Sequence, residues 1–283
     1  MFEPTGPPRR TALYDRHLAA GAEMHVEDGW EMPLSYGDAD EEYRRVRSRA
    51  GVFDLSHVGR IRVRGDGALE MLEYLCTADV ARQEDDTAIY TLLCNDRGGI
   101  IDHALVVRLD GYWMLTCSPH RRAAVLGHLQ VHAGEFGATV DDQTLKTSML
   151  SVVGPQAPAA LDAVLPEKPS ALPRGAAKVG SMLVARYLAM RTGATRLWSL
   201  EVVLPNLLVG RAWDFITAQA AANAIAPAGQ AVRERLRTRA RLPRWGREID
   251  ETTNPVAAGL SRAVHLGKDF LGAAAVREAA SGA

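Results

Sequence analysis

The sequence predicts an α+β fold of two related lobes, and three observations lead there. A unit of strand, glycine turn and helix occurs twice, over residues 61–75 and 150–164, with Gly65, Ala68 and Leu72 matching Gly154, Ala157 and Leu161. Strands and helices mix without the strict β-α-β alternation of a doubly wound sheet. The 283 residues, 47% hydrophobic and 24% charged, have the composition of a globular protein and the length for two domains. The expected lobes are residues 11–50 with 146–230, and 51–145 with 231–283.

Residues 1–10, with Pro4, Pro7 and Pro8, read as a disordered leader without the apolar run of a signal peptide. Helical spacing over 11–22 places Leu13, His17 and Leu18 on one face, and Gly29 to Pro33 ends that helix. A short charged helix is expected over 41–50. Ile61 and Val63 alternate with arginines in a strand over 60–64, which Gly65-Asp66-Gly67 stops before a helix led by Ala68, Met71, Leu72 and Leu75. Strands over 89–93 and 104–109 flank the turn Asn95-Asp96-Arg97-Gly98-Gly99. A strand over 113–117 and an amphipathic helix over 121–131 follow. The second half repeats the theme: a strand over 150–153, a Gly-Pro turn and a helix, then a proline-rich loop over 166–175. Strands over 183–188 and 200–204 and a helix over 212–222 complete it.

Charge and cysteines exclude several function classes. The 33 basic and 34 acidic side chains leave a net charge of −1, so no whole-molecule field favours nucleic acid or an anionic membrane. The longest apolar runs fall far short of the roughly 20 residues that span a bilayer. Three widely spaced cysteines, Cys76, Cys94 and Cys117, form no C-x-x-C pair and no disulfide framework. The expected location is the cytoplasm.

Four groups of residues can carry chemistry. Asp102-His103 pairs a carboxylate with an imidazole, suited to acid–base work. Neighbours on a strand face opposite sides, however, so the same pair also reads as a surface aspartate capping a turn beside a partly buried histidine. His57 follows Ser56, but no Gly-x-Ser-x-Gly elbow accompanies it, so hydrolase chemistry is rejected. His128 and His132 stand one helical turn apart without a third ligand, and read as solvated. No metal site is expected. Glu201 sits inside the apolar run 198–204; it is either on the solvent face of an edge strand, or buried against a partner or ligand. Seven arginines, 233, 235, 237, 239, 241, 244 and 247, fall within fifteen residues, opposed by Glu234. Such a stripe can bind phosphates, with Trp245 for stacking, or hold an anionic small molecule. Its plainest reading is a solvated helix face with Val232, Leu236 and Ala240 packed inward.

Several segments together resemble the glycine cleavage system T-protein family of folate-dependent aminomethyltransferases. They are Thr11 to His17, Gly29-Trp30-Glu31-Met32-Pro33, Gly51-Val52-Phe53-Asp54-Leu55-Ser56-His57, Asn95 to Asp102, Val153-Gly154-Pro155, Ile249 to Pro255 with Gly259-Leu260, and Lys268 to Gly272. The likeness runs in order over about residues 11–275.

The resemblance implies two folate-binding lobes with a tetrahydrofolate pocket between them. It assigns Glu201 to the pterin ring and Arg233 to the folate or a ligand carboxylate. Ser118, where the family has asparagine, Trp245 and Tyr90 join the cofactor-binding set. His103 stands where the family has the second aspartate of its D-D pair. The expected catalytic residues are therefore His103, as proton donor or acceptor, and Asp102. Thr192 to Ser199 replaces the family's T-G-Y-T-G-E-D-G loop, and Val58 replaces a methionine. The family's C-terminal β-barrel has no counterpart in the sequence. The expected pocket is therefore open on one side, with a second copy of the chain or a partner subunit to cover it. The expected function is tetrahydrofolate-dependent transfer of a methyl or aminomethyl unit on a small molecule other than glycine. The alternatives are a folate-independent acid–base reaction such as a cyclisation, and a non-catalytic folate-binding module.

Overall fold

A computed structural model describes residues 6–163, 165, 167–182, 185–223 and 225–281. The chain divides into two compact units. Unit one comprises Val58–Thr144 and Pro243–Ala283; unit two comprises Phe2–His57 and Leu145–Leu242. Residues 51–57 and 231–242 thus fold with unit two, although the sequence-based boundaries give them to the other lobe. The cause is strand pairing: 51–54 lie in a strand hydrogen-bonded to the second-half strands of unit two.

Unit two opens with β1 (Arg9–Arg10), parallel to β3. The part of the expected leader that is described is therefore partly ordered by sheet pairing, while residues 1–5 lie outside the described residues. Helix α1 (Tyr14–Ala19) is shorter than expected, because the chain turns at Gly21 and enters the hairpin of β2 (Glu23–Glu27) and β3 (Trp30–Ser35). Asp28 and Gly29, both at positive φ, form the turn that an Asp-Gly pair favours. Leu18 is 48% exposed, so only Leu13 and His17 of the expected face are buried. Helix α2 (Ala39–Ser48) starts where the Asp38 carboxylate accepts from the backbone N–H groups of Asp40 and Glu41. Strand β4 (Ala50–Asp54) follows, buried at every position.

Unit one contains β5 (Gly59–Arg64), α3 (Ala68–Leu75), β6 (Thr87–Cys94), β7 (Ile100–Leu109), β8 (Tyr112–Cys117), α4 (Arg122–Phe136) and β9 (Thr139–Asp142). Its antiparallel sheet has the order β6-β7-β8-β5-β9. Ile61, Val63, Met71, Leu72, Leu75, Val106 and Leu115 are fully buried with Val125 and Leu129 of α4.

The chain returns to unit two with β10 (Thr147–Val153), α5 (Ala157–Asp162), β11 (Ala177–Met182), β12 (Ala185–Met190), β13 (Ser199–Pro205), α6 (Asn206–Asn223), β14 (Ile225–Pro227) and α7 (Gln230–Ala240). The six-stranded sheet has the order β11-β12-β13-β10-β4-β14. Residues 183–184 of the expected strand 183–188 lie outside the described residues. Unit one then closes with an irregular stretch and α8 (Ala273–Ser281).

The repeated strand–glycine–helix unit reflects a shared backbone requirement. Gly65 and Gly154 lie at φ +112° and +139°, and a Cβ there would stand 2.7 Å from the Gly137 carbonyl oxygen and 2.3 Å from that of Arg49. Only glycine meets both demands.

Candidate functional site

In unit two, Glu201 lies on β13, flanked by β12 and β10. It is therefore in the sheet interior, which overturns the edge-strand reading. Met190, Glu201, Ser151 and Phe53 form one cross-strand row. Leu200 and Leu204 belong to the apolar cluster with Trp213 and Leu161, so alternation sends Glu201 to the opposite face of the sheet. Burial raises the Glu201 pKa, opposed by the positive charge of Arg233 and a hydrogen bond from Thr192. The Thr192 hydroxyl also lies 3.2 Å from that of Ser199, which accepts from the Gly193 N–H at 2.8 Å. The replaced loop thus still steadies the carboxylate.

His57 enters the same electrostatic neighbourhood. It is 4% exposed, and its Nδ1 has no hydrogen-bond partner. Burial first, then the Arg233 charge, lowers its pKa to about 4, so the ring is neutral at pH 7. The sequence offers His57 only as the neighbour of Ser56, a hydrolase reading it rejects; its burial, three residues beyond the buried strand β4, comes from the fold. Behind it, the buried His17 ring joins Asp54 (Nε2–Oδ2 3.0 Å) and the Tyr36 hydroxyl (2.8 Å). Burial alone would raise the Asp54 pKa, but the bond and charge of His17, with hydrogen bonds from Ser56 and Thr11, bring it below the usual value. The His17 bonds tie α1 and Tyr36 to the last residue of β4.

In unit one, Asp102 and His103 lie on β7. Asp102 is wholly buried and accepts from the Ser118 backbone N–H and hydroxyl, each at 2.8 Å. The surface-cap reading of Asp102 therefore fails. Ser118 follows the end of β8 and reaches both neighbours, since its Oγ also lies 3.4 Å from His103 Nε2. Half-buried His103 tilts toward the Tyr90 ring, centroids 5.8 Å apart. The Tyr90 hydroxyl is buried without a partner, and burial, then the Asp102 charge, raises its pKa. Asp102, His103, Ser118 and Tyr90 thus form one cluster with one unsatisfied hydroxyl.

Trp245 is fixed by a bond from Nε1 to the Ile100 carbonyl (3.0 Å), and the Arg121 guanidinium sits 3.9 Å from its ring centroid. Arg121 also donates to the Ile101 carbonyl and pairs with Glu251. One face of Trp245 is therefore already covered by a cation rather than open for stacking.

The arginine stripe is not one surface. Helix α7 ends at Ala240, with Arg241 left-handed at φ +59°, and Arg244 and Arg247 belong to unit one. Val232, Leu236 and Ala240 are buried as expected. Arg235 pairs with Asp40 and lies over the Tyr43 ring, and Arg237 grips Glu234 at 2.6–2.7 Å. His128 and His132 are half-buried rather than solvated, packed edge to face at 5.4 Å, and burial lowers the His128 pKa to about 4. Among the described residues no group of three or more His, Cys, Asp or Glu is arranged to hold a metal ion.

Comparison with known proteins places this geometry. The family model for the GCVT N-terminal domain matches residues 13–268. The chain belongs to the GCVT N-terminal domain family. Similar GCVT relatives include the aminomethyltransferase of Streptomyces coelicolor, 37% identical over 96% of this chain and 74% of that protein. That of Alcanivorax borkumensis is 34% identical over 93% and 72%. The crystal structure of glycine cleavage system aminomethyltransferase T from Bartonella henselae superposes with a TM-score of 0.88 at 30% identity, over 97% of this chain and 75% of that one. The GCVT domain thus spans about three quarters of the length of the relatives it matches. None of its described helices is long and apolar enough to cross a membrane.

Proposed function

We propose that this protein transfers a one-carbon unit, methyl or aminomethyl, between a small molecule other than glycine and tetrahydrofolate. The observation that carries the proposal is the Glu201 carboxylate beside Arg233 on an interior strand. A carboxylate so desolvated gains from donors beyond the Thr192 hydroxyl. A pterin ring supplies them: its amino group and ring N–H present adjacent donors to the two carboxylate oxygens. The donor set therefore fits tetrahydrofolate, and membership of a family with aminomethyltransferase relatives supports the same reading. When bound, tetrahydrofolate supplies the nitrogens that carry the one-carbon unit.

The remaining roles follow from the residues. The Arg233 charge opposes the upward pull of burial on the Glu201 pKa, and its fork is offered to a ligand carboxylate. Asp102 is spent on Ser118 and acts by positioning, which leaves the His103 imidazole as the proton donor or acceptor of its cluster. Tyr90 contributes its unsatisfied hydroxyl, and Trp245 a rigid aromatic wall. A second aspartate at position 103 would favour a cationic carbon through its negative charge; an imidazole does not, which supports a substrate other than glycine.

Equilibrium titration with tetrahydrofolate tests the proposal. Saturable binding to the wild type, weakened at least tenfold in Glu201→Gln, supports it. Absence of binding, or equal binding by the variant, contradicts it. His103→Ala should leave affinity intact while lowering turnover by about 10²–10⁴-fold.

A further inference from the structure

Unit two also holds a cavity of ≈ 370 Å³ lined by Arg47, Thr195, Arg196, Leu197, Leu236 and Arg239. Its volume lies within the range of roughly 300–1,000 Å³ usual for small-molecule sites. The three arginines come from three segments: the last turn of α2, the loop between β12 and β13, and the last turn of α7.

Several other arginines of this unit are held by carboxylates. Arg16 pairs with Asp214, Arg235 with Asp40 and Arg237 with Glu234. None of the six residues lining the cavity is acidic. The Arg47 guanidinium has the Tyr43 ring at 5.7 Å as an aromatic contact. Three like charges around one hollow repel one another, an arrangement that an anion relieves. The Thr195 hydroxyl oxygen is buried and has no hydrogen-bond partner, an independent sign that the lining is incomplete. Leu236, 2% exposed, and half-buried Leu197 supply an apolar wall.

We propose that this cavity binds a small phosphate monoester. A tetrahedral dianion presents oxygens in several directions at once, matching planar guanidinium forks from three elements. The cavity has room beyond a bare phosphate, and the organic part lies against Leu197 and Leu236. Thr195 donates its hydroxyl to a phosphate oxygen. The site uses neither Glu201 nor Arg233, so it stands or falls separately from the folate reading.

Calorimetric titration of the full chain with inorganic phosphate, phenyl phosphate and citrate, at one ionic strength set with chloride, tests the proposal. Phenyl phosphate should bind saturably and more tightly than inorganic phosphate, with citrate weaker than both. Arg47, Arg196 and Arg239 are exposed, so Arg196→Ala and Arg239→Ala should fold normally. Each should weaken phenyl phosphate at least about tenfold. Tetrahydrofolate affinity should be unchanged in both variants. No saturable binding of either phosphate, citrate binding more tightly than phenyl phosphate, or undiminished affinity in both variants would overturn it.

Discussion

Glu201 is a residue held against its own preference. Burial raises its pKa above the ordinary carboxylate value, so the folded chain holds this proton more tightly than the unfolded chain does. Its contribution to stability is thus fullest below the unfolded pKa and declines as pH rises through the raised value. Glu201→Gln removes that charge, so the variant should melt no lower than the wild type at pH 7 even though it loses tetrahydrofolate; scanning calorimetry checks the pair of outcomes. A structural glutamate would behave oppositely. His57 has the reverse linkage. Its pKa is depressed to about 4, so its contribution is present above about pH 6.5 and is lost as pH falls toward 4. Between pH 7.5 and 5 this amounts to about 2 kcal/mol. Urea unfolding at the two pH values should show His57→Gln losing less stability than the wild type by about that amount. Glu201 was readable in the sequence because a carboxylate inside an apolar run demands explanation. The buried bonding of Asp102 was not, since its partner Ser118 is brought to it from the end of another strand.

At the scale of elements, α7 shows how one helix divides its work. Leu236 is core, so Leu236→Ala should cost about 2–5 kcal/mol in denaturant unfolding. Arg239→Ala, on the exposed side, should stay within about 0.5 kcal/mol. Gly154→Ala must either strain a backbone at φ +139° or push a methyl against the Arg49 carbonyl, and should destabilise by about 2 kcal/mol or more, read as a lowered melting temperature. The strand–glycine–helix repeat was legible because glycine punctuation and apolar periodicity are local. Strand β4 was not, since Ala-Gly-Val-Phe-Asp is buried throughout and shows no alternation. The β2–β3 hairpin carried its Asp-Gly signal in plain sight, but the helical spacing just before it masked the strands. The solvated-face reading of the arginine stripe holds for α7, but one-dimensional density could not show the helix end at Ala240 or the pairing of Arg235 with Asp40.

For the whole molecule, a net charge of −1 conceals local asymmetry: an arginine-lined cavity in unit two and ion-paired arginines elsewhere. The α+β class and the family were legible because ordered motifs recur along nearly the whole chain, and the family match over residues 13–268 covers the same span. The unit boundaries were less so, since strand pairing rather than sequence proximity places residues 51–57. The central claim is that Glu201 holds a pterin. Thermal unfolding with increasing tetrahydrofolate tests it most directly. At 100 times the dissociation constant, wild-type protein should gain about 2.7 kcal/mol, seen as a rising melting temperature, while Glu201→Gln should show no comparable rise. A wild type unmoved by tetrahydrofolate, or a Glu201→Gln variant protected equally, would contradict the account.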